Sequence, residues 1–136
     1  MRVPIATTTA WLGCLFAIAI GGACGDDNTP LDQFDPEISN LTDSFQLQAT
    51  GLTGVTTTID YAWQNTGTMA DIDQSGVLTS GTARVIILDS SATQVYDGDL
   101  MTTGSYQSIA GTTGAWVIRL VTNNAQGDLN FRVQKP

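Results

Sequence analysis

The chain has 136 residues, room for one domain, of which 42% are hydrophobic and only 13% charged, against roughly 25% charged in an average soluble domain. A net charge of −8 repels a phosphate backbone and an anionic bilayer alike, which argues against nucleic-acid binding and against electrostatic adhesion to membranes. No histidine is present, so the commonest general base and a frequent zinc ligand are missing, and an enzyme is not expected.

Met1-Arg2 opens the chain with a positive charge, Trp11 to Ile20 is almost wholly apolar, and Gly21-Gly22-Ala23-Cys24 precedes an abrupt polar change at Gly25-Asp26-Asp27-Asn28. A positive start, an apolar run of this length and a small-residue exit predict a secretory signal peptide over residues 1–23. A spanning helix would need about 20 apolar residues. Ala23-Cys24 resembles the lipobox of bacterial lipoproteins, where a small residue precedes a cysteine that receives a diacylglyceryl group before cleavage. The resemblance implies that Cys24 becomes the lipidated first residue of an exported, membrane-held protein. It departs from the family pattern at Gly21, where Leu, Val or Ile usually stands. Gly25 replaces the aspartate that holds enteric lipoproteins at the inner membrane, so the resemblance implies the outer membrane of the cell envelope. Asp26-Asp27 is similar to the surface-export tags of some diderm bacteria. A lipid anchor needs no help from protein charge, since each buried methylene contributes about 0.8 kcal/mol. Loss of the leader would remove Cys14 and leave four bases (Arg84, Arg119, Arg132, Lys135) against all 13 acids.

Residues 24–43 read as a flexible acidic linker, with Pro30 and Pro36 blocking regular structure. A short helix from Pro36, with Phe34 and Ile38 on the domain edge, is the competing reading. Residues 44–136 form the expected domain. Phe45, Leu47 and Ala49 alternate with Gln46 and Gln48, and Val55 to Trp63 continues with the same period. Ala83 to Leu88 is denser and predicts a central strand covered on both faces. Gln94-Val95-Tyr96, Trp116 to Val121 and Leu129 to Val133 supply further strands. Asn123-Asn124-Ala125-Gln126-Gly127 reads as the turn of a hairpin between the last two. Period two recurs, glycines punctuate it, and the fold expected is all-β: an antiparallel β-sandwich of about seven or eight short strands. Gly114-Ala115-Trp116, an apolar strand, an Asn/Gly turn and Leu-x-Phe-x-Val ending at Val133 resemble immunoglobulin-like and jelly-roll domains of secreted bacterial proteins. That resemblance implies a fold and no activity.

Asp71-Ile72-Asp73-Gln74-Ser75-Gly76 matches the opening of a calcium loop, with Asp71, Asp73 and Ser75 as oxygen ligands and glycine at position six. Thr82 stands where the bidentate glutamate belongs, so a solvated loop between strands is the favoured reading. Asp97-Gly98-Asp99 would place two carboxylates about 6.5–7 Å apart on a strand, within glycosidase range; Gly98 favours a turn instead. Trp63, Trp116 and Tyr61 read as core aromatics, whereas Tyr96 and Tyr106, beside turns, are candidate ligand-binding residues. Asn40-Leu41-Thr42 matches a glycosylation sequon, by chance in this setting. No cofactor is expected beyond calcium as a candidate. The function expected is therefore a non-catalytic envelope lipoprotein, binding or structural, acting through contacts with another protein. The alternative is a glycan-binding module, calcium-assisted, that takes an envelope polysaccharide.

Overall fold

The computed structural model describes residues 29–136; the leader and Cys24 lie outside them. Two runs of alternating apolar and polar residues are far longer than the sequence suggested. Strand β2 spans Ser44–Asn65 and strand β7 spans Gly114–Gln134. Between them come β3 (Asp71–Gln74), β4 (Val77–Leu88), β5 (Gln94–Asp99) and β6 (Gly104–Gln107), and β1 (Glu37–Leu41) precedes β2. All pair antiparallel, β7 with β2 along almost its whole length and with β3 and β4 on its other side.

Straight, β2 would extend about 70 Å. It bends instead, and its partners bend with it. Register shifts fall between Ala49 and Thr57 on β2, and between Leu78 and Thr82 on β4. Left-handed backbone stands beside them at Gly54 (φ 64), Gly81 (φ 77) and Asn124 (φ 51). Each bulge adds local twist and turns its strand, so three neighbouring strands fold over along one line. The result is an antiparallel sandwich. One half holds β1, the start of β2, the end of β7, β3 and β6; the other holds the end of β2, the start of β7, β4 and β5. Phe45 and Tyr61 lie on the same strand and would stand about 50 Å apart were it straight, yet their ring centroids are 5.2 Å apart.

The inward residues of both halves form one core, with Trp63, Trp116, Phe45, Phe131, Leu47, Ile72, Ile87 and Ile118 almost wholly buried. The alternation therefore identified the core face correctly, including Trp63 and Trp116.

Several expectations are corrected. Asn123 to Gly127 is not a hairpin turn but the bent middle of β7, where Ala125 still pairs with Val55 and Gly127 with Leu52. The ladder survives because β2 bends at the same level, and Thr56 Oγ1 accepts the Asn124 N–H at 2.8 Å. The stretch 24–43 is not all linker. Thr29 bridges to Val55, a 3-10 turn at Leu31–Phe34 buries Leu31 in the core, and β1 pairs with β2 through a two-residue turn whose Asp43 has φ 68. Pro36 starts no helix. Asp97-Gly98-Asp99 lies within β5 and is not a turn. Asp71 to Gln74 is strand β3 and not a loop, because Ile72 enters the core and the strand is paired on both sides. Finally, β4 is hydrogen-bonded on both sides, but only Ala83, Val85 and Ile87 are buried, while Ile86 and Leu88 are half-buried on its outer face.

Candidate functional site

Because Phe45, Leu47, Ile72, Phe131 and Val133 point into the core, their strand neighbours point outward from the five-stranded half. The pairing register aligns them in rows. Ser39 lies opposite Gln46, Gln46 opposite Arg132, Arg132 opposite Asp73, and Asp73 opposite Ser105. A parallel row runs from Leu41 through Ser44, Gln134 and Asp71 to Gln107. Apart from Leu41 at one edge, this outer face is a carpet of amides, hydroxyls and carboxylates with one cation.

Its side chains are held in place. Asp73 accepts the Ser105 hydroxyl at 2.6 Å on one oxygen and the Arg132 guanidinium at 2.9 Å on the other. The Ser105 hydroxyl first, and then Arg132, keep the Asp73 carboxyl below its usual range. Gln107 donates to Asp71 at 2.8 Å. Three shallow depressions cross the face, of about 220, 270 and 390 Å³. The first shares Gln46 with the second, and the second shares Asp73 and Ser105 with the third. They adjoin as one trough running across the strands.

Of the calcium candidates, Asp71 and Asp73 do share this face, but on an extended strand that wraps around nothing. Both Asp73 oxygens are engaged, and Ser75 lies past the strand end with its N–H on the Asn130 carbonyl at 2.9 Å. Among the described residues no three acidic or thiol groups cluster to hold a metal ion.

Tyr96 and Tyr106 are brought together, with ring centroids 6.3 Å apart and planes tilted by 43°. They close the seam between edge strands β5 and β6, and do not form a flat platform. Each ring lies over a glycine two residues away, Tyr96 over Gly98 and Tyr106 over Gly104, where a Cβ would collide with it; aromatic cover of an edge glycine restores packing that the glycine lacks. Burial pushes the Tyr96 hydroxyl up. Tyr106, 39% exposed, also lines the third depression. The carboxylates of β5 are separately occupied. Asp97 pairs with Arg84 at 2.5 Å, and Asp99 accepts the Met101 N–H at 2.7 Å. The sequon residue Asn40 donates its side-chain amide to the Ala62 carbonyl at 2.8 Å.

Two organising residues were not singled out from sequence. Buried Gln74 donates to the Asp99 and Thr102 carbonyls at 2.6 and 2.5 Å and ties down the loop before β6. Asp89 gathers the Ser91, Thr93 and Thr112 N–H groups at 2.8–2.9 Å. The Thr112 and Thr93 N–H bonds are the main cause of its lowered pKa. A depressed carboxyl pKa contributes stability that is complete above the unfolded value and vanishes as pH falls through the folded one. Asp89→Asn is accordingly expected to melt several degrees below the natural protein at pH 7, since the amide oxygen can still accept the Ser91 and Thr93 N–H groups but the partly buried Thr112 N–H then faces an NH2 and loses its acceptor. That gap should close in acid below the ordinary value of 3.8; thermal melts from pH 7 to 2.5 check it.

No protein-family model matches the chain, and no curated protein matches it significantly.

Proposed function

We propose that the chain is an exported, lipid-anchored protein of the cell envelope, outer-membrane in location, whose sandwich is a non-catalytic module that works by binding through the outer face of its five-stranded half. The observation that carries the binding role is the continuous polar trough, whose side chains are preorganised by their own hydrogen bonds. Preorganisation lowers the ordering cost of association. The non-catalytic reading is supported by the pairing of Asp73, Asp97 and Asp99, each with its own donors. Acid–base catalysis needs a carboxyl raised towards working pH, and the Asp73 carboxyl is shifted the other way.

The anchor rests on Met1 to Cys24. In cells fed a tagged fatty acid, the natural protein is expected to take up label and to sediment with membranes. Cys24→Ser is expected to lose both. Label retained by Cys24→Ser, or an intact leader on the mature protein, overturns the anchor.

A protein partner, the leading expectation from sequence, is favoured by a different observation. On the outer face of the four-stranded half, Ile86, Leu88, Val117 and Val121 are all half-buried. The Arg84–Asp97 and Arg119–Asp60 ion pairs lie among them. This patch mixes branched aliphatic side chains with ion pairs, where the trough is almost wholly polar, and it lies on the other half of the sandwich.

A further inference from the structure

We infer that the trough across β1, β2, β7, β3 and β6 takes an extended neutral glycan, about one sugar ring per strand, without a metal ion. The inference rests on the reading of that face as the binding surface and names its ligand.

The spacing comes first. Neighbouring strands lie about 4.7–4.9 Å apart, comparable with the length of one pyranose ring. A chain of sugars laid across the strands therefore meets an equivalent polar side chain at each unit, in the order Ser39, Gln46, Arg132, Asp73 and Ser105. Three adjoining depressions along that line make successive subsites, the middle one lined by Gln46, Asn130, Arg132 and Asp73.

The chemistry comes second. A sugar hydroxyl both donates and accepts, and a planar amide offers both functions on one rigid group. Gln46, Gln48, Asn130 and Gln107 present such amides on this face. Asp73 and Arg132 fix each other at 2.9 Å, and each has capacity left for a neighbouring hydroxyl pair. A peptide fits less well. Apart from Ile38 at one end and Tyr106 at the other, the three depressions are lined by polar residues and glycine, so alternate peptide side chains would find no apolar pockets.

Charge comes third. Glu37, Asp71 and Asp73 line the trough, and its one cation, Arg132, is already paired. The local field disfavours an anionic polymer. The contacts above run directly from side chain to sugar hydroxyl and so need no bridging cation.

The test is calorimetric titration of the full-length protein in detergent, with EDTA present. The probes are neutral cello-, chito- and laminari-oligosaccharides of increasing length, against oligogalacturonates of matched length. In at least one neutral series, affinity is expected to rise steeply up to about five units, one per strand, and then level off, and to exceed that of the oligogalacturonates at least tenfold. Gln46→Ala should weaken binding about tenfold at unchanged melting temperature. Asp73→Ala should weaken it as much but also melt lower, because it strips Ser105 and Arg132 of their partner. Arg119→Ala, on the opposite face, should not weaken binding. Three results overturn the inference: no neutral oligosaccharide binds, oligogalacturonates bind equally well, or Gln46→Ala has no effect. A photocross-linker installed at Gln46 in intact cells separates the two levels. A protein captured there with no sugar bound in vitro sinks the glycan and keeps the binding face. No sugar and no cross-link sink both.

Discussion

Replacing Gly81 by alanine is expected to destabilise the protein by at least about 3 kcal/mol, which would be a large part of the 5–15 kcal/mol that holds a domain of this kind together. Gly81 lies where β4 bends against the bent middle of β7, at φ 77. A Cβ there would stand 2.6 Å from the Asn123 carbonyl oxygen and closer still to that of Asn124. Both obstacles are backbone, so no side chain can rotate away. Moving them means moving the bulge on which the fold-over of β7 depends. Gly51 provides the control, because its φ of 69 carries the same dihedral penalty while nothing lies within 4 Å of its missing Cβ. Gly51→Ala should therefore cost only the left-handed term, about 1–2 kcal/mol. Urea denaturation of both variants separates sterics from dihedral. Equal losses would show that β7 can give way at the bend, and the account of the corner would fail.

The bend is also where sequence reading went furthest astray, for a physical reason. Asn-Asn-Ala-Gln-Gly has the composition of a turn, and a bulge uses the same left-handed residues as a turn. What decides between them is whether the partner strands bend at the same level. β2 does so around Gly51 and Gly54, and β4 does so at Gly81; that coincidence is tertiary information. The core was legible because period two places Phe45, Leu47, Trp63, Trp116 and Phe131 on one face whatever the connections are. The N-terminal edge was not, because the acids and prolines of 24–43 hid a single core residue, Leu31, and a strand whose five residues are all exposed. The polar residues of the trough were each visible as the outward half of the alternation. Their union was not, since it takes the register of five strands to set Gln46, Arg132, Asp73 and Ser105 in line. Reading Asp71 to Gly76 as a ligand loop assumed irregular backbone, and the burial of Ile72 overrides that assumption.

The second large effect is expected at the centre of the core. Trp116→Ala should cost about 3–5 kcal/mol through lost burial and the cavity left behind. Trp63 and Trp116 are direct cross-strand partners on β2 and β7, with rings 5.9 Å apart at 87°. Both are at most 1% exposed. The Trp116 indole N–H also donates to the Thr112 carbonyl at 2.7 Å, which anchors the loop that Asp89 organises. Trp116→Phe keeps an aromatic ring and drops that bond. The Thr112 carbonyl still accepts the Ser90 hydroxyl at 3.1 Å, so no orphaned acceptor remains and the loss should be only about 1–2 kcal/mol. The double variant Trp63→Ala/Trp116→Ala should lose less than the sum of the singles, by about 0.5–1.5 kcal/mol, because the edge-to-face contact can be removed only once. Chemical denaturation followed by far-ultraviolet circular dichroism measures all four proteins without relying on tryptophan emission. Strict additivity would mean that the two indoles fill separate pockets, and a Trp116→Ala loss under about 1.5 kcal/mol would mean that the two halves of the sandwich do not share one core.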